Sequence, residues 1–295
     1  MQLLLLGGSG ELGQVIARTL SFNALGWQVT APRHADCDFG DHYSLADFIG
    51  RAQPSVIINA AAYTQVDQAE SESERAYQVN TQAAAVLAEE AKRIGALLVH
   101  FSTDYVFDGS GDLPWSEEDK PAPLNVYGLS KWNGEQVIQV SGCRHLVLRT
   151  SWLHSPYGHN FVKTMLRLGQ QLESLSVVCD QIGAPTSATM LARGTLRAIE
   201  LALVNPALCG LYHVTAGGEV SWFDYACFIF AKAQKLGFEL KVREIKPVPS
   251  CVYPAVAKRP LNSRLDTTKF CSSFGFELPH WREGVEETLN QLLKK

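Results

Sequence analysis

Residues 3–6 are four leucines, and they run straight into Gly7-Gly8-Ser9-Gly10-Glu11-Leu12-Gly13. Apolar residues in unbroken succession have both faces to bury, as a strand inside a parallel sheet does. A glycine at every third position after such a strand restricts the next step to a tight turn into a helix. Gly7 lets the backbone reverse, Gly10 lets a pyrophosphate approach, and Gly13 lets the helix pack closely on the strand. Glu11 and Leu12 then open a helix whose first N–H groups have no intrahelical acceptor and face an anion with a partial positive charge. The start of the chain therefore predicts a dinucleotide cradle on a βα unit.

The pattern repeats. Apolar runs at 28–31, 55–60, 97–101 and 146–149 alternate with helical periodicity near 11–21, 44–51, 72–94 and 128–141. Strands separated by helices predict right-handed crossovers and a doubly wound parallel sheet of Rossmann type. With 295 residues, the chain is long enough for about two domains. Residues 1–150 read as the cofactor-binding domain, and 151–295 mainly as a smaller α/β substrate-binding lobe. In this second part, apolar runs at 175–179 and 211–214 are interleaved with helices near 160–171, 188–204, 222–235 and 281–293. The chain is expected to return to the main sheet near 205–235.

Composition narrows the function. The net charge of −4 provides no general attraction for nucleic acid or an anionic membrane. No apolar stretch is long enough to span a bilayer, and the leucine run is too short for a signal sequence. Seven cysteines without a C-x-x-C pair read as free thiols, so a cytoplasmic protein without a structural metal is expected.

Two further patterns carry chemistry. The second strand ends at Ala31-Pro32-Arg33, without the acidic residue that would bind the ribose hydroxyls of NAD. Arg33 either pairs with the 2′-phosphate of NADP or is a solvated loop residue. Asp38-Phe39 just beyond either flank an adenine or are a loop carboxylate beside a core ring. Tyr127-Gly-Leu-Ser-Lys131 places a phenol and an ammonium four residues apart, on one helix face. A carbonyl reductase needs a proton donor at oxygen, and a cation beside tyrosine lowers its pKa from about 10. Ser102-Thr103-Asp104 ends the fourth strand, where a hydroxyl can stabilise a developing oxyanion.

The glycine turn, the strand-end threonine and Y-x-x-x-K, in this order, resemble the extended short-chain dehydrogenase/reductases that act on nucleotide sugars. Nearly the whole chain resembles the dTDP-4-dehydrorhamnose reductases among them. The resemblance is carried by Asn59-Ala-Ala-Ala-Tyr63-Thr64-Gln-Val-Asp67, Ser102-Thr-Asp-Tyr-Val-Phe107, Pro123-Leu-Asn-Val-Tyr-Gly128 and Arg149-Thr-Ser-Trp152. Asn160-Phe161, Asp180-Gln-Ile-Gly-Ala-Pro-Thr186, Gly210-Leu-Tyr-His213 and Arg259-Pro-Leu-Asn-Ser263 extend it.

The resemblance implies NADPH- or NADH-dependent reduction of the C4 ketone of dTDP-4-dehydro-L-rhamnose to dTDP-L-rhamnose, for cell-surface polysaccharide such as O-antigen. It assigns Thr103, Tyr127 and Lys131 to catalysis. Ala62, Tyr63 and Thr64 would lie along the cofactor with Asn80 supporting them, while Asp104 and Trp152 would meet the sugar and Arg259 a phosphate. Related dehydratases carry Thr-Asp-Glu where this chain has Tyr105, which disfavours elimination of water. Some members are magnesium-linked dimers built on glutamates; Val15 and Thr189 stand at those positions here, so a monomer or weak homodimer without that metal bridge is expected, and a bound Mg²⁺ is left open. The alternative is a non-catalytic NADP-binding regulatory subunit, as in methionine adenosyltransferase, or another nucleotide-sugar reductase or epimerase.

Overall fold

The structure is a computed structural model, and it describes residues 1–21, 26–33 and 36–294. Strand β1 (Gln2–Leu6) leads into helix α1 (Glu11–Ser21), then β2 (Gln28–Thr30), α2 (His42–Ala52) and β3 (Val56–Asn59). Short helices α3 (Val66–Ala69) and α4 (Ser73–Tyr77) precede α5 (Ala83–Ile94), β4 (Leu97–Thr103), α6 (Val126–Ser141) and β5 (His145–Thr150). The remaining elements are β6 (Leu153–His154), α7 (Phe161–Gln171), β7 (Ser174–Val178), β8 (Ile182–Gly183), β9 (Thr186–Ser187) and α8 (Ala188–Val204). They continue with β10 (Gly210–His213), β11 (Val220–Ser221), α9 (Trp222–Lys235), β12 (Glu244–Val248), α10 (Thr268–Phe274) and α11 (Trp281–Leu293).

Six strands form a parallel sheet in the order β10-β5-β4-β3-β1-β2. The leucine run shows why both faces are covered. Leu3 and Leu5 pack with α1 and α8, while Leu4 and Leu6 pack with α2 and α5 on the other side. All seven residues of β4 are buried. β2 is different: its three residues are exposed, because it closes the edge of the sheet. The strand order reverses at β1, with β2 on one side and β3 on the other. The crevice beyond the carboxyl ends at that point is where open α/β sheets bind ligands.

The later part of the chain both rejoins this sheet and builds a second core. β10 pairs with β5, and α8 covers the face that α1 also covers. A separate cluster unites Val162 and Met165 of α7, Tyr225 and Ile229 of α9, and Val285 and Leu289 of α11. Parallel β7 and β12 border it. β12 leaves no strand pattern in the sequence, because its stretch is rich in proline. Pro247 sits inside the strand, which is permitted where only one neighbour has to be bonded.

The predicted helix over 72–94 is interrupted. Residues Gln78–Gln82 form a π-helical segment between α4 and α5. Buried Asn80 lies in it, and a Cβ at Gly134 of α6 would come within 2.3 Å of the Asn80 carbonyl oxygen. The bulge lets α6 lie almost in backbone contact with this segment. A π-bulge inside a helix is often a functional feature, and its period is invisible in an apolar pattern.

The first turn is equally tight. Gly7 has φ +76°, a conformation glycine adopts without a steric penalty. A Cβ at Gly13 would lie 2.0 Å from the Gly7 carbonyl oxygen. Gly13→Ala should therefore cost about 1–3 kcal/mol of stability, as overpacking a filled site does. A urea midpoint equal to that of the unaltered chain would contradict this.

Candidate active site

A cavity of about 610 Å³ opens at the carboxyl edge of the sheet. The glycine turn supplies one wall with Gly7, Ser9, Gly10, Glu11 and Leu12. Ends of β3 and β4 supply Ala60 to Ala62, Thr64 and Ser102 to Tyr105, and α6 supplies Tyr127 and Lys131. The later part of the chain closes it with Thr150 to Leu153, His159 and Trp222.

Each predicted residue can now be placed. Gly7, Gly10, Glu11, Leu12, Phe39, Ala62, Thr64, Thr103, Asp104, Tyr127, Lys131 and Trp152 line this cavity. Gly13 lies beneath the turn, packed on Gly7. Asp38 and Tyr63 line an adjoining cleft that shares Phe39, Ala62 and Thr64 with the cavity. Asn80 acts from behind: its Oδ1 accepts from Tyr63 N–H at 2.9 Å, and its Nδ2 donates to Tyr63 O at 3.1 Å and Ser130 Oγ at 2.9 Å. It thereby ties the loop after β3 to α6. Arg33 is exposed and pairs with Asp36 at 3.0 Å. Arg259 is paired with Asp67 at 2.6 Å, so its charge is already offset.

The three residues assigned to catalysis come together from two elements. Thr103 ends β4 and caps a short 3-10 helix, Asp104–Val106, accepting from Tyr105 N–H at 3.1 Å. Its hydroxyl donates to Asp104 Oδ1 at 3.1 Å. Asn125 caps α6 by accepting from Gly128 N–H, and its amide donates to Lys258 O at 2.8 Å. This fixes where Tyr127 begins the helix. The lowering expected from Lys131 is not found: burial pushes the Tyr127 phenol up to about 12, with the Thr103 hydroxyl pulling it down and Asp104 adding to the rise. Lys131 donates to the Phe101 carbonyl at 2.6 Å and lies 3.2 Å from His100 Nε2. Burial lowers Lys131 to about 8, against the pull of Glu135.

Sequence reasoning missed several groups here. Among the described residues, Ser102 Oγ, Thr150 Oγ1 and Asp104 Oδ2 are buried without a hydrogen-bond partner, and all three residues line the cavity. Such atoms are rare unless something polar meets them. Burial raises the Asp104 carboxyl to about 7, although the Ser263 and Thr103 hydroxyls work against the rise. Trp222 stacks on Trp152 with ring centroids 3.6 Å apart, and nothing in its local sequence distinguishes it from a core aromatic. Trp152 itself has φ +47°, a strained conformation for a bulky residue. Gly183 makes room for its ring, since a Cβ there would lie 2.7 Å away. The glutamates expected of a metal-bridged dimer have no counterpart: Val15 is buried in the core and Thr189 is half-buried on α8.

Glu11 joins the two parts of the chain. Its Oε1 accepts from Ser155 Oγ at 3.0 Å and Asn160 Nδ2 at 2.6 Å. Burial raises its carboxyl from 4.5 to about 7, although both hydrogen bonds and Lys163 oppose the rise. As pH climbs between these values, the unfolded chain releases this proton before the folded one does. Stability is thus lost on the way up and the loss is complete above about 7. Glu11→Gln removes the titration, so its melting temperature relative to the unaltered protein should improve across that interval. A constant difference would count against the burial of this charge.

Comparison with known proteins agrees with this architecture. The family model described as RmlD substrate binding domain matches residues 1–294. The dTDP-4-dehydrorhamnose reductase of Escherichia coli (strain K12) is 44% identical over 294 residues, covering 99% of this chain and 98% of that protein. A crystal structure of a dTDP-4-dehydrorhamnose reductase from Clostridium acetobutylicum superposes with a TM-score of 0.92 at 34% identity, covering 99% of each chain. The Bacillus anthracis enzyme of the same name, solved in complex with NADP, superposes with a TM-score of 0.88 at 36% identity. That match covers 98% of this chain and 99% of the other. With a full-length family match on a Rossmann-like fold, the chain belongs to the dTDP-4-dehydrorhamnose reductase family.

Proposed function

We propose that the protein reduces the C4 ketone of dTDP-4-dehydro-6-deoxy-L-mannose, giving dTDP-L-rhamnose. The observation that carries this is a single cavity in which the glycine turn meets Thr103, Tyr127 and Lys131. The residues fit a dinucleotide: the positive-φ turn at Gly7, the first turn of α1 with N–H groups that the helix cannot bond, and the buried Ser102 and Thr150 hydroxyls line one cavity. A bound nicotinamide dinucleotide supplies the hydride that reaches sugar C4. NADPH is preferred in this reading, because Arg33 stands where an NAD-binding chain would carry a carboxylate. Its exposed pair with Asp36 is a weak interaction that a 2′-phosphate can replace. The NADP complex of the Bacillus anthracis relative supports the same preference. NADH is the second candidate.

Tyr127 donates the proton to the C4 oxygen. Burial keeps the phenol protonated at neutral pH, and a cationic Lys131 one turn away would favour release of that proton to the substrate. Thr103 stabilises the developing oxyanion, and its hydroxyl has to turn from Asp104 to do so. Asp104 has a buried oxygen free to accept a sugar hydroxyl. Trp152, backed by Trp222, offers a flat apolar wall to the sugar ring. Tyr105 favours reduction over elimination, since burial raises its phenol far above the range in which it could act as a base. Arg259, with Asp67 offsetting its charge, is assigned to the rim near a substrate phosphate.

In this reading, residues 1–150 bind the cofactor and most of 151–295 binds the sugar nucleotide. The protein works in the cytoplasm as a monomer or weak homodimer, without nucleic acid, membrane or bridging magnesium. Its product serves rhamnose-containing surface polysaccharide. The test is turnover of the purified chain with NADPH and with NADH against a panel of nucleotide 4-keto sugars, read as loss of reduced-nicotinamide absorbance. Oxidation of NADPH dependent on the dTDP 4-keto sugar is expected. Tyr127→Phe should lower kcat/KM by roughly 100- to 10,000-fold, the usual contribution of general acid catalysis. Absence of turnover with both cofactors would refute the activity, and full activity of Tyr127→Phe would move the proton donor elsewhere.

A further inference from the structure

Residues 155–160, between β6 and α7, belong to the later part of the chain but are fastened to the first turn of α1. Ser155 Oγ donates to Glu11 Oε1 at 3.0 Å, and Asn160 Nδ2 donates to the same oxygen at 2.6 Å. Between these two anchors, Gly158 packs so closely that a Cβ on it would lie 2.9 Å from the Glu11 Cβ. The Arg18 guanidinium, one end of α1 further on, lies over the Tyr157 ring at 4.7 Å from its centre. Lys163 closes the segment on itself, with Nζ donating to Gly158 O at 2.7 Å and Pro156 O at 3.3 Å. The segment is thus a strap laid across the start of α1 and held at several points.

His159 sits between Gly158 and Asn160, the two strap residues on either side of it that touch Glu11. Consecutive Cα atoms are about 3.8 Å apart, so its backbone cannot be far from the first turn of α1. His159 is exposed, and it lines the same cavity as Ser9, Gly10 and Glu11. Among the described residues, Lys131 and His159 are the basic side chains in the wall of that cavity. Lys131 is buried at the far end, donating to the Phe101 carbonyl. Lys163 is turned to the strap carbonyls. An anion at the glycine turn therefore meets His159 as its neighbouring base. An imidazole N–H donates to a phosphate oxygen, and a phosphate within reach favours the charged imidazolium.

We infer that His159 is a cofactor-binding residue: the strap carries it to the diphosphate of the dinucleotide, where it adds a side-chain donor to the main-chain N–H groups of the glycine turn. The inference rests on the dinucleotide reading of the cavity and adds a residue to it from the part of the chain assigned to the sugar nucleotide. The diphosphate of the sugar nucleotide has the same chemistry. The cofactor is favoured because both anchors of the strap are on Glu11, next in sequence to Gly10, where a pyrophosphate approaches the turn. The strap also explains why a carboxyl group is tolerated beside an anion site: its Oε1 is already taken up by Ser155 and Asn160.

The test is equilibrium binding to the full-length protein without turnover, so it does not depend on the reductase assay. NADPH, dTDP and adenosine 2′-monophosphate, which has no diphosphate, are titrated separately. His159→Ala should weaken NADPH binding about tenfold or more, as loss of a charge-assisted hydrogen bond does. Its affinity for dTDP and for adenosine 2′-monophosphate should be unchanged. His159→Arg should recover most of the NADPH affinity, which loss of a merely structural side chain would not allow. The urea midpoint of His159→Ala should match that of the unaltered protein, because the residue is exposed. Equal NADPH affinity in the unaltered protein and His159→Ala would overturn the inference. So would a loss seen with dTDP, which would place the histidine at the sugar nucleotide, or with adenosine 2′-monophosphate, which would place it at the adenosine end. If the unaltered protein binds no NADPH at all, the dinucleotide reading itself falls and takes this inference with it.

Discussion

A parallel sheet covered on both faces has nowhere to put polar chemistry except at the ends of its strands. β4 shows the constraint most clearly, with seven buried residues in a row and Thr103 as the last of them. Everything reactive collects beyond that edge. The glycine turn follows β1, Ala60 to Thr64 follow β3, Thr103 and Asp104 follow β4, and Thr150 to Trp152 follow β5. Because β1, β3, β4 and β5 are adjacent in the sheet, their ends form one continuous wall. α6 then needs only to be set at the right height for Tyr127 and Lys131 to face it. The Asn125 cap, the close approach of Gly134 to Asn80, and the Lys131 bond to the Phe101 carbonyl set that height.

His100 is the exception to this rule, and the exception is informative. It is a polar side chain inside a strand that is otherwise committed to burial. It can stay there only because Asn59 and Lys131 reach it from the next strand and from the helix above. Polar groups this far from water are tolerated when every donor meets an acceptor.

The sheet, the glycine turn and the placing of Tyr127 and Lys131 on one helix were legible in the sequence because each leaves a local pattern. Leu3 to Leu6 announce burial on both faces, and glycines at every third position announce a turn into a helix. The residues that were not legible act over distance. The link between His100 and Asn59 spans two strands, and Trp222 reaches the cavity only because α9 starts where β11 ends. Asn80 sits in a π-bulge that no period reveals. Arg259 is expected at a phosphate, but Asp67, nearly two hundred positions away in the chain, is bonded to it in space. Spacing finds partners on one element, whereas these contacts are made by packing.

That pairing alters how the charge of the molecule should be understood. With a net charge of −4, an anionic ligand is drawn in by local groups alone. The two arginines best placed by sequence are both already paired, Arg33 with Asp36 and Arg259 with Asp67. Neither presents a full unbalanced charge to a phosphate. The backbone N–H groups at the start of α1 are not balanced in this way, because the helix itself offers them no acceptor. In the proposed reading, phosphate recognition therefore rests first on main-chain donors in a fixed geometry. Gly7 and Gly13 hold that geometry.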